Sequence, residues 1–169
     1  IEPCLRIISV GLPFGLGGFL IGAFHTPHDT DESMGYRVEG GGCFAIATDM
    51  GHVTDEVLEA LTGADTVLIE ANHDVELLSD GSYPIYLKRR ILSNRGHLSN
   101  ESCAKLALYL CRHGTRQIVL GHLSRENNRP ELALSAVRAQ LAGLPVELHC
   151  APPAGELTLA VREAEPCFQ

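Results

Sequence analysis

The sequence predicts an α/β fold in which helices are layered against a sheet. Unbroken apolar runs typical of buried strands alternate with segments of helical spacing along the chain. The length of 169 residues and a composition that is 45% hydrophobic and 20% charged fit one globular domain with its own core. Since no internal repeat or low-complexity linker divides the chain, we expect residues 1–169 to form a single domain.

The first half of the chain predicts three strands and a helix. "GFLIGAF" predicts a strand, and "YRVEGGGCFAIAT" predicts two strands that a glycine turn joins at residues 40–42. In "TDEVLEALTG", Thr54 is suited to cap the N-terminus of a helix, acidic residues follow in the first turn, and Gly63 is suited to end it.

The second half alternates strands with helices. "TVLIEA" and "QIVLGH" have the unbroken apolar character of buried strands. Residues 99–113 predict a helix capped by Ser99 or Asn100, and residues 130–143 predict a helix with Pro130 at its first position. "PVELHCA" and "ELTLAV" predict two late strands.

The composition indicates which classes of partner are disfavoured and in which compartment the protein is expected. A net charge of -8 disfavours a surface that binds nucleic acid through charge everywhere, although a local basic patch is compatible with it. Six cysteines without a CxxC pair predict reduced thiols and a cytoplasmic location. Five glycines and a proline interrupt the uncharged residues 7–24, so we predict neither a signal peptide nor a membrane segment there.

Metal-capable side chains lie at the ends of three predicted strands. Asp49 follows "CFAIAT", Glu70 follows "TVLI", and His122 ends "QIVLGH". If these strands are parallel neighbours, their carboxyl ends share the edge of the sheet where α/β folds gather ligands. His28 also follows an apolar strand and His97 precedes a helix, so one edge could hold all five residues.

This set of side chains suits a metal ion. Imidazole and carboxylate are ligands of zinc and similar divalent ions. Taken singly, each residue has a structural alternative: His28 as a loop residue, Asp49 as a turn or helix-capping acid, and His122 as a core histidine. Their joint placement favours a metal site with the open geometry of a hydrolytic centre.

Several longer segments together resemble a known family. They are "HTPHDTDESMGY", "ATDMGHVTDEV", "LIEANHDVELLSDGSYPIYLKRRI", "RGHLSNESCAKL" and "IVLGHLSRENNRPELA". The chain from Phe19 to Val137 is similar to the second half of a metallo-β-lactamase-fold hydrolase of the YycJ/WalJ-like subfamily, which is related to the RNase Z and β-CASP nucleases. The fold that this resemblance implies is the second half of a four-layer αββα sandwich.

The resemblance also implies a site for two divalent metal ions, Zn or Mn. It makes His28 a ligand of the first ion, His122 a ligand of the second, and Asp49 the carboxylate that bridges both. Glu70 and His97 resemble the pair that handles the proton of the leaving group in RNase Z-like relatives. The catalytic residues that the resemblance implies are therefore Asp49, Glu70 and His97.

The implied activity is hydrolysis of a phosphodiester in DNA or RNA, with 5′-exonuclease action on DNA as one form. Asn72 and His73 lie beside Glu70 in the sequence and are candidates for contact with the substrate. Arg89, Arg90 and Arg95 are candidates for phosphate contact, and a solvated helix face is the alternative interpretation of this basic cluster.

One departure from the family pattern shapes the remaining expectations. The family signature HxHxDH, which supplies two ligands to each metal, is absent from the sequence. We therefore expect residues 1–169 to be a partial domain, a fragment of a longer protein and a poor catalyst alone. Half of a sandwich would expose an apolar sheet face, so the expected partner is the upstream half of the fold or a second copy.

Two other functions remain open at the level of sequence. The first keeps the fold and changes the substrate to a thioester or another small ester, since a fold does not fix its substrate. The second is a non-catalytic α/β interaction module.

Overall fold

A computed structural model describes residues 7–160. Seven strands form one sheet: β1 Phe14–Leu16, β2 Phe19–His25, β3 Met34–Glu39, β4 Cys43–Ala47, β5 Thr66–Glu70, β6 Gln117–Gly121 and β7 Glu147–Cys150. The helices are α1 Asp55–Leu61, α2 Val75–Asp80, α3 Ile85–Ile91, α4 Asn100–Arg112 and α5 Pro130–Gln140. The predicted α/β class is confirmed for this part of the chain.

The strand order places three strand ends side by side. Neighbours in the sheet follow the chain order from β1 to β7. The pairs from β1 to β4 are antiparallel, whereas those from β4 to β7 are parallel. Ala47 lies opposite Ile69, and Glu70 lies opposite Gly121, so β4, β5 and β6 end at the same edge. The parallel arrangement on which the predicted site depends is present.

The core lies between the helices and one face of the sheet. Alternate residues of the parallel strands, such as Ala45, Val67 and Ile118, are fully buried against α1, α4 and α5. Burial of a valine or isoleucine side chain stabilises the fold by about 1.5–3 kcal/mol, so this packing fixes the strand ends firmly. On the other face Phe44 and Leu68 are only half-buried, and residues 151–159 border a cavity of about 350 Å³ there.

The predicted elements agree with the structure except at short segments. The glycine turn joins β3 to β4, with Gly41 and Gly42 at positive φ. The strand predicted for "ELTLAV" is wrong over residues 156–160, which pair with no described strand, and Val161 lies outside the described residues. β1, α2 and α3 were not predicted. β1 and α2 have only three and six residues, and α3 has as many residues as α1 but no side-chain cap hydrogen bond at its start.

The structure tests the predicted reduced thiols and the prediction that the apolar run is not a membrane segment. Cys43, Cys103, Cys111 and Cys150 have free thiols, and Cys4 and Cys167 lie outside the described residues. Burial raises the pKa of the Cys103 thiol far above its usual value, so it is protonated at neutral pH. Within residues 7–160, no helix has the length and apolar character needed to span a membrane.

Candidate active site

The chain turns sharply where β4 and β6 end. Asp49 and His122 are the two non-glycine residues with positive φ within residues 7–160, at 55° and 56°. A left-handed backbone costs a residue with a side chain about 1–2 kcal/mol, and such strain clusters at functional sites. Here the two turns bring the side chains together, with 3.8 Å between Nε2 of His122 and Oδ1 of Asp49.

Three imidazole rings surround the Asp49 carboxylate. Its Oδ1 lies 3.5 Å from Nε2 of His28, 3.8 Å from Nε2 of His122 and 3.9 Å from Nδ1 of His97. The centre of the His97 ring lies 4.8 Å from that of His28 and 5.3 Å from that of His122. These three histidines and Asp49, which come from four separate segments of the chain, form the histidine cluster.

A fully buried carboxylate, Glu70, orients two of these rings. Its Oε2 accepts the backbone N–H of Met50 at 2.9 Å and that of Leu98 at 3.3 Å. Its Oε1 accepts Nδ1–H of His97 and Nδ1–H of His122, both at 2.7 Å. Burial alone would raise the pKa of Glu70, but the hydrogen bonds from the two histidines and Met50 outweigh it and lower the pKa. Glu70 is therefore ionised at neutral pH.

The bonds to Glu70 determine which ring nitrogens face the cleft. Because Nδ1 of His122 donates to a carboxylate, Nε2 keeps its lone pair and faces Asp49. The same hydrogen bond raises the pKa of His122. In His97 the Nδ1–H is also committed to Glu70, which leaves Nε2 for contacts in the pocket that this ring lines.

His28 is held by a second set of contacts, to the connection between α3 and α4. Its Nδ1 lies 3.0 Å from the carbonyl of Gly96, so Nδ1 donates and Nε2 faces the histidine cluster. Arg95 donates from Nε to the carbonyl of His28 at 2.9 Å. Next to it, Arg90 forms a two-pronged ion pair with Asp29 and lowers the pKa of that carboxyl to about 2. The loop that carries His28 is thus fastened at three points.

The donor chemistry of the histidine cluster fits a divalent metal ion. Nε2 of His28 and Nε2 of His122 both present lone pairs toward Asp49, at 3.5 and 3.8 Å from Oδ1. In a tetrahedral zinc site with bonds of about 2.0–2.1 Å, two ligand atoms lie roughly 3.3 Å apart. The three side chains are therefore close to ligand spacing already.

Glu70 and His97 also lie within reach of such an ion. One candidate ligand atom from each of Asp49, Glu70, His97 and His122 lies within 4.8 Å of the others. Glu70 is nevertheless a poor ligand, because it is fully buried and both of its oxygens accept N–H groups. The Nδ1 of His97 is committed to the same carboxylate. Their geometry suits them to support the ligands and to move protons.

Two further predicted residues, Asn72 and His73, follow Glu70 closely in the chain and are buried. The buried Asn72 donates its side-chain amide to the carbonyl of His122 at 2.9 Å and so steadies the strained turn. His73 is 1% exposed, and neither of its ring nitrogens has a hydrogen-bond partner within residues 7–160. Burial lowers the pKa of His73 to about 4, so the ring is neutral at pH 7. His73 has no exposed surface for contact with a substrate.

The predicted basic residues divide into two groups. Arg90 and Arg95 are exposed but are tied to the loop that carries His28, whereas Arg89 is exposed and has no ion pair among the residues that the structure describes. Sequence reasoning missed Asp29 and Gly96 as supports of that loop. The only available signals were their positions next to His28 in "PHD" and next to His97 in "RGH".

A pocket of about 340 Å³ opens beside His97 and His122. Tyr83, Leu87 and Ile91 line it from the segment that contains α3. This wall could not be predicted from the sequence, because Lys88, Arg89 and Arg90 interrupt the apolar residues of the short helix α3.

Comparison with known proteins assigns the family. Residues 5–123 match the beta-lactamase superfamily domain. The chain belongs to this superfamily. Exodeoxyribonuclease WalJ from Streptococcus pneumoniae serotype 2 (strain D39) is 43% identical over 138 residues, which cover 81% of this chain and 51% of the relative. Exodeoxyribonuclease YycJ from Bacillus anthracis is 39% identical over 132 residues, 78% of this chain and 50% of the relative.

Solved structures show the same fold at low sequence identity. YhfI from Bacillus subtilis, a metallo-beta-lactamase fold protein, has a TM-score of 0.64 at 17% identity, covering 85% of this chain and 51% of that one. Zn(2+)-bound PqqB from Methylobacterium extorquens has a TM-score of 0.60 at 19% identity, covering 91% and 55%. The predicted family and fold are confirmed, and the chain spans about half the length of the two exodeoxyribonucleases that it matches.

Proposed function

We propose that the protein, in its natural full length, is a metal-dependent phosphodiesterase that degrades DNA as an exonuclease. The observation that carries the proposal is the Asp49 carboxylate surrounded by three histidines, two of which the buried Glu70 orients. The names of the two relatives, both exodeoxyribonucleases, support DNA as the substrate.

In this proposal His28, Asp49 and His122 would hold two divalent ions, Zn or Mn, and Asp49 would be the carboxylate available to both. The ions supply Lewis-acid polarisation of the phosphodiester and a nucleophile at neutral pH. A catalytic zinc usually has three protein ligands, so three side chains are too few for two ions. Other residues must complete the site, and the family signature HxHxDH, absent from this sequence, would supply them.

Glu70 and His97 deliver the proton to the leaving group. The oxygen that leaves phosphorus gains negative charge as its bond breaks, and a positioned acid lowers the cost. Nε2–H of His97 donates this proton from the pocket side. Nδ1–H of the same ring remains hydrogen-bonded to Oε1 of Glu70, with 2.7 Å between the two heavy atoms. The Glu70 carboxylate stabilises the charged imidazole before the transfer, and His97 regains a proton from solvent afterwards.

The remaining predicted residues take supporting roles in this proposal. Asn72 holds the His122 turn through its amide, and Arg90 is committed to Asp29. Arg89 and Arg95 are exposed and are the candidates to bind phosphate oxygens of the DNA. Their number is small, in keeping with a net charge of -8.

Metal content and DNA hydrolysis of the full-length protein test the metal assignment. Asparagine tolerates the left-handed backbone, so Asp49→Asn and His122→Asn remove the ligands with little change in strain. We expect the full-length protein to bind two ions per chain and each variant to lose metal and hydrolysis. His113→Asn is the control, since His113 stacks on Tyr109 at the end of α4. Full activity in Asp49→Asn would overturn the assignment.

The role of His97 has a separate test. His97→Gln removes the proton donor, so kcat for DNA is expected to fall by about 10²–10⁴-fold. Nitrophenolate leaves without protonation, so hydrolysis of bis(p-nitrophenyl) phosphate by the same variant is expected to change far less. An equal loss on both substrates, or a loss of bound metal, would contradict a role as proton donor.

The polarity of degradation requires end-labelled DNA. We expect release of nucleotides from the 5′ end of a linear strand, and no degradation of a closed circle. Thioester substrates are assayed in parallel with DNA, because the fold alone does not determine the substrate. Turnover of thioesters without turnover of DNA would replace the nuclease proposal.

A further inference from the structure

The pocket beside the histidine cluster has a wall of a different chemical character from the cluster itself. His97 and His122 line one side of it, and the aromatic ring of Tyr83 with the aliphatic Leu87 and Ile91 lines another. Its volume, about 340 Å³, lies at the lower end of the range of small-molecule sites, about 300–1,000 Å³. The pocket is therefore suited to one small group that has an apolar face and lies next to the reacting atoms.

The polar atoms of this pocket are largely committed to the protein. Asn72 donates its amide to the carbonyl of His122, and Arg90 is paired with Asp29. The pocket therefore offers few groups that could recognise a base by its hydrogen bonds. Stacking on an aromatic ring tolerates every base, because each base has a flat π-face.

Among residues 7–160, Tyr83 is the only Phe, Tyr or Trp side chain that lines the pocket. Tyr83 is half-buried and precedes Pro84, the N-cap of α3, so the proline ring restricts its backbone. One aromatic ring provides a stacking surface for one base and no more. A short pocket of this kind suits the end of a strand better than a long tract of single-stranded DNA.

We propose that this pocket receives the terminal nucleoside of the DNA strand, with its base against Tyr83 and its phosphodiester at the histidine cluster. The proposal rests on the proposed function, because it takes a phosphodiester as the group that His97 and His122 face. It adds the residue that holds the end of the strand and predicts that recognition there is independent of base sequence.

Binding of two small compounds tests the pocket without hydrolysis. Deoxyadenosine monophosphate and deoxyribose 5-phosphate share the sugar and the phosphate, and only the first carries a base. Calorimetry with the metal-loaded, full-length protein is expected to show tighter binding of the nucleotide, by about 5- to 150-fold, the range for stacking of one base. Equal affinities would overturn the proposal.

Three variants assign the preference to Tyr83. Tyr83→Ala is expected to abolish the preference for the nucleotide, whereas Tyr83→Phe keeps a ring and is expected to retain it. Tyr86→Ala is the matched control, because Tyr86 is 74% exposed and does not line the pocket. The proposal would be overturned if Tyr83→Ala kept the preference for the nucleotide. It would also be overturned if Tyr83→Phe lost this preference as fully as Tyr83→Ala.

Hydrolysis measured in parallel separates this inference from the function on which it rests. On an oligonucleotide with a normal end, Tyr83→Ala is expected to raise KM by about 5- to 150-fold, the factor expected for the loss of one stacked base. With an abasic terminal nucleotide, or with bis(p-nitrophenyl) phosphate, the same substitution is expected to have little effect. Hydrolysis without any base preference would refute the pocket and retain the nuclease. A Tyr83-dependent base preference without any hydrolysis would refute the nuclease and retain the pocket as a nucleotide site.

Discussion

Nδ1 of His122 and Oε1 of Glu70 lie 2.7 Å apart, although 52 residues separate them in the chain. Glu70 ends β5 and His122 follows the neighbouring parallel strand, so the sheet itself creates the contact. Because the carboxylate holds the proton on Nδ1, the lone pair of His122 stays on the nitrogen that faces Asp49. A buried acid thus determines which ring nitrogen of an exposed histidine faces Asp49.

Replacement of Glu70 by Gln is expected to weaken metal binding. An amide has one acceptor atom, so it cannot serve two histidine N–H groups and two backbone N–H groups at once. Loss of such a supporting carboxylate typically lowers metal affinity by about 10–100-fold. Calorimetric titration of the full-length protein with Zn or Mn measures this change. In the control, Glu56→Gln alters an exposed glutamate that contacts His25, and no change is expected.

The Arg90–Asp29 ion pair is expected to tune the position of His28. Removing it in Arg90→Leu should loosen the loop and lower the metal affinity several-fold, and Arg90→Lys, which cannot form the two-pronged contact, should have an intermediate effect. Arg89→Leu removes a neighbouring positive charge that has no ion pair in the described chain. An equal loss of metal affinity in Arg89→Leu and Arg90→Leu would show that the loss comes from the removed charge and not from the position of His28.

The sequence predicted that Asp49, Glu70 and His122 share one edge of the sheet, because the type of strand determines where its end lies. Unbroken apolar runs before Asp49, Glu70 and His122 indicated buried parallel strands, and parallel strands end at a common edge. The hydrogen bonds that orient the rings could not be predicted in this way. The partner of His28 is a carbonyl 68 residues away, and only the folded chain brings them together.

The same limit explains His73 and Arg90. Both are polar residues near predicted ligands and were candidates for contact with the substrate, with a solvated helix face as the alternative for Arg90. In the folded chain His73 is 1% exposed and its backbone pairs with that of Ser99, and Arg90 forms an ion pair with Asp29, 61 residues away. Burial and pairing depend on neighbours in space, which a single sequence does not specify.

Gly96 is expected to tolerate no side chain. A Cβ there would lie 2.1 Å from the carbonyl oxygen of Ile91 and 2.3 Å from that of Arg90, and neither backbone atom can move as a flexible side chain could. Gly96→Ala should therefore lower the free energy of unfolding by about 1–3 kcal/mol or more and displace the carbonyl that holds His28. Denaturant unfolding measures the first effect, and metal titration measures the second.

The matched control for Gly96 is Gly22 in β2, where an added Cβ meets nothing within 4 Å. Gly22→Ala is expected to leave stability unchanged or to raise it slightly, because alanine restricts the unfolded chain. If Gly96→Ala were as stable as Gly22→Ala, the tight packing of residues 91–96 would not be a determinant of the fold.

His73 is expected to make the protein sensitive to acid. Its pKa is about 4 in the folded protein and about 6.5 when unfolded, so between these values the unfolded state binds the additional proton. Stability therefore falls as pH decreases from 6.5 to 4, by up to about 3 kcal/mol at roughly 1.4 kcal/mol per pH unit. Denaturant unfolding at several pH values measures this slope.

Two replacements separate the proton from the polarity of the ring. His73→Leu removes both buried nitrogens, which have no hydrogen-bond partner in residues 7–160, so it should flatten the acid slope and also raise stability at pH 7. His73→Gln cannot titrate but remains polar, so it should flatten the slope without that gain. Because other groups titrate equally in all three proteins, the difference from the parent isolates His73. A slope that both variants retain would assign the acid sensitivity to another residue.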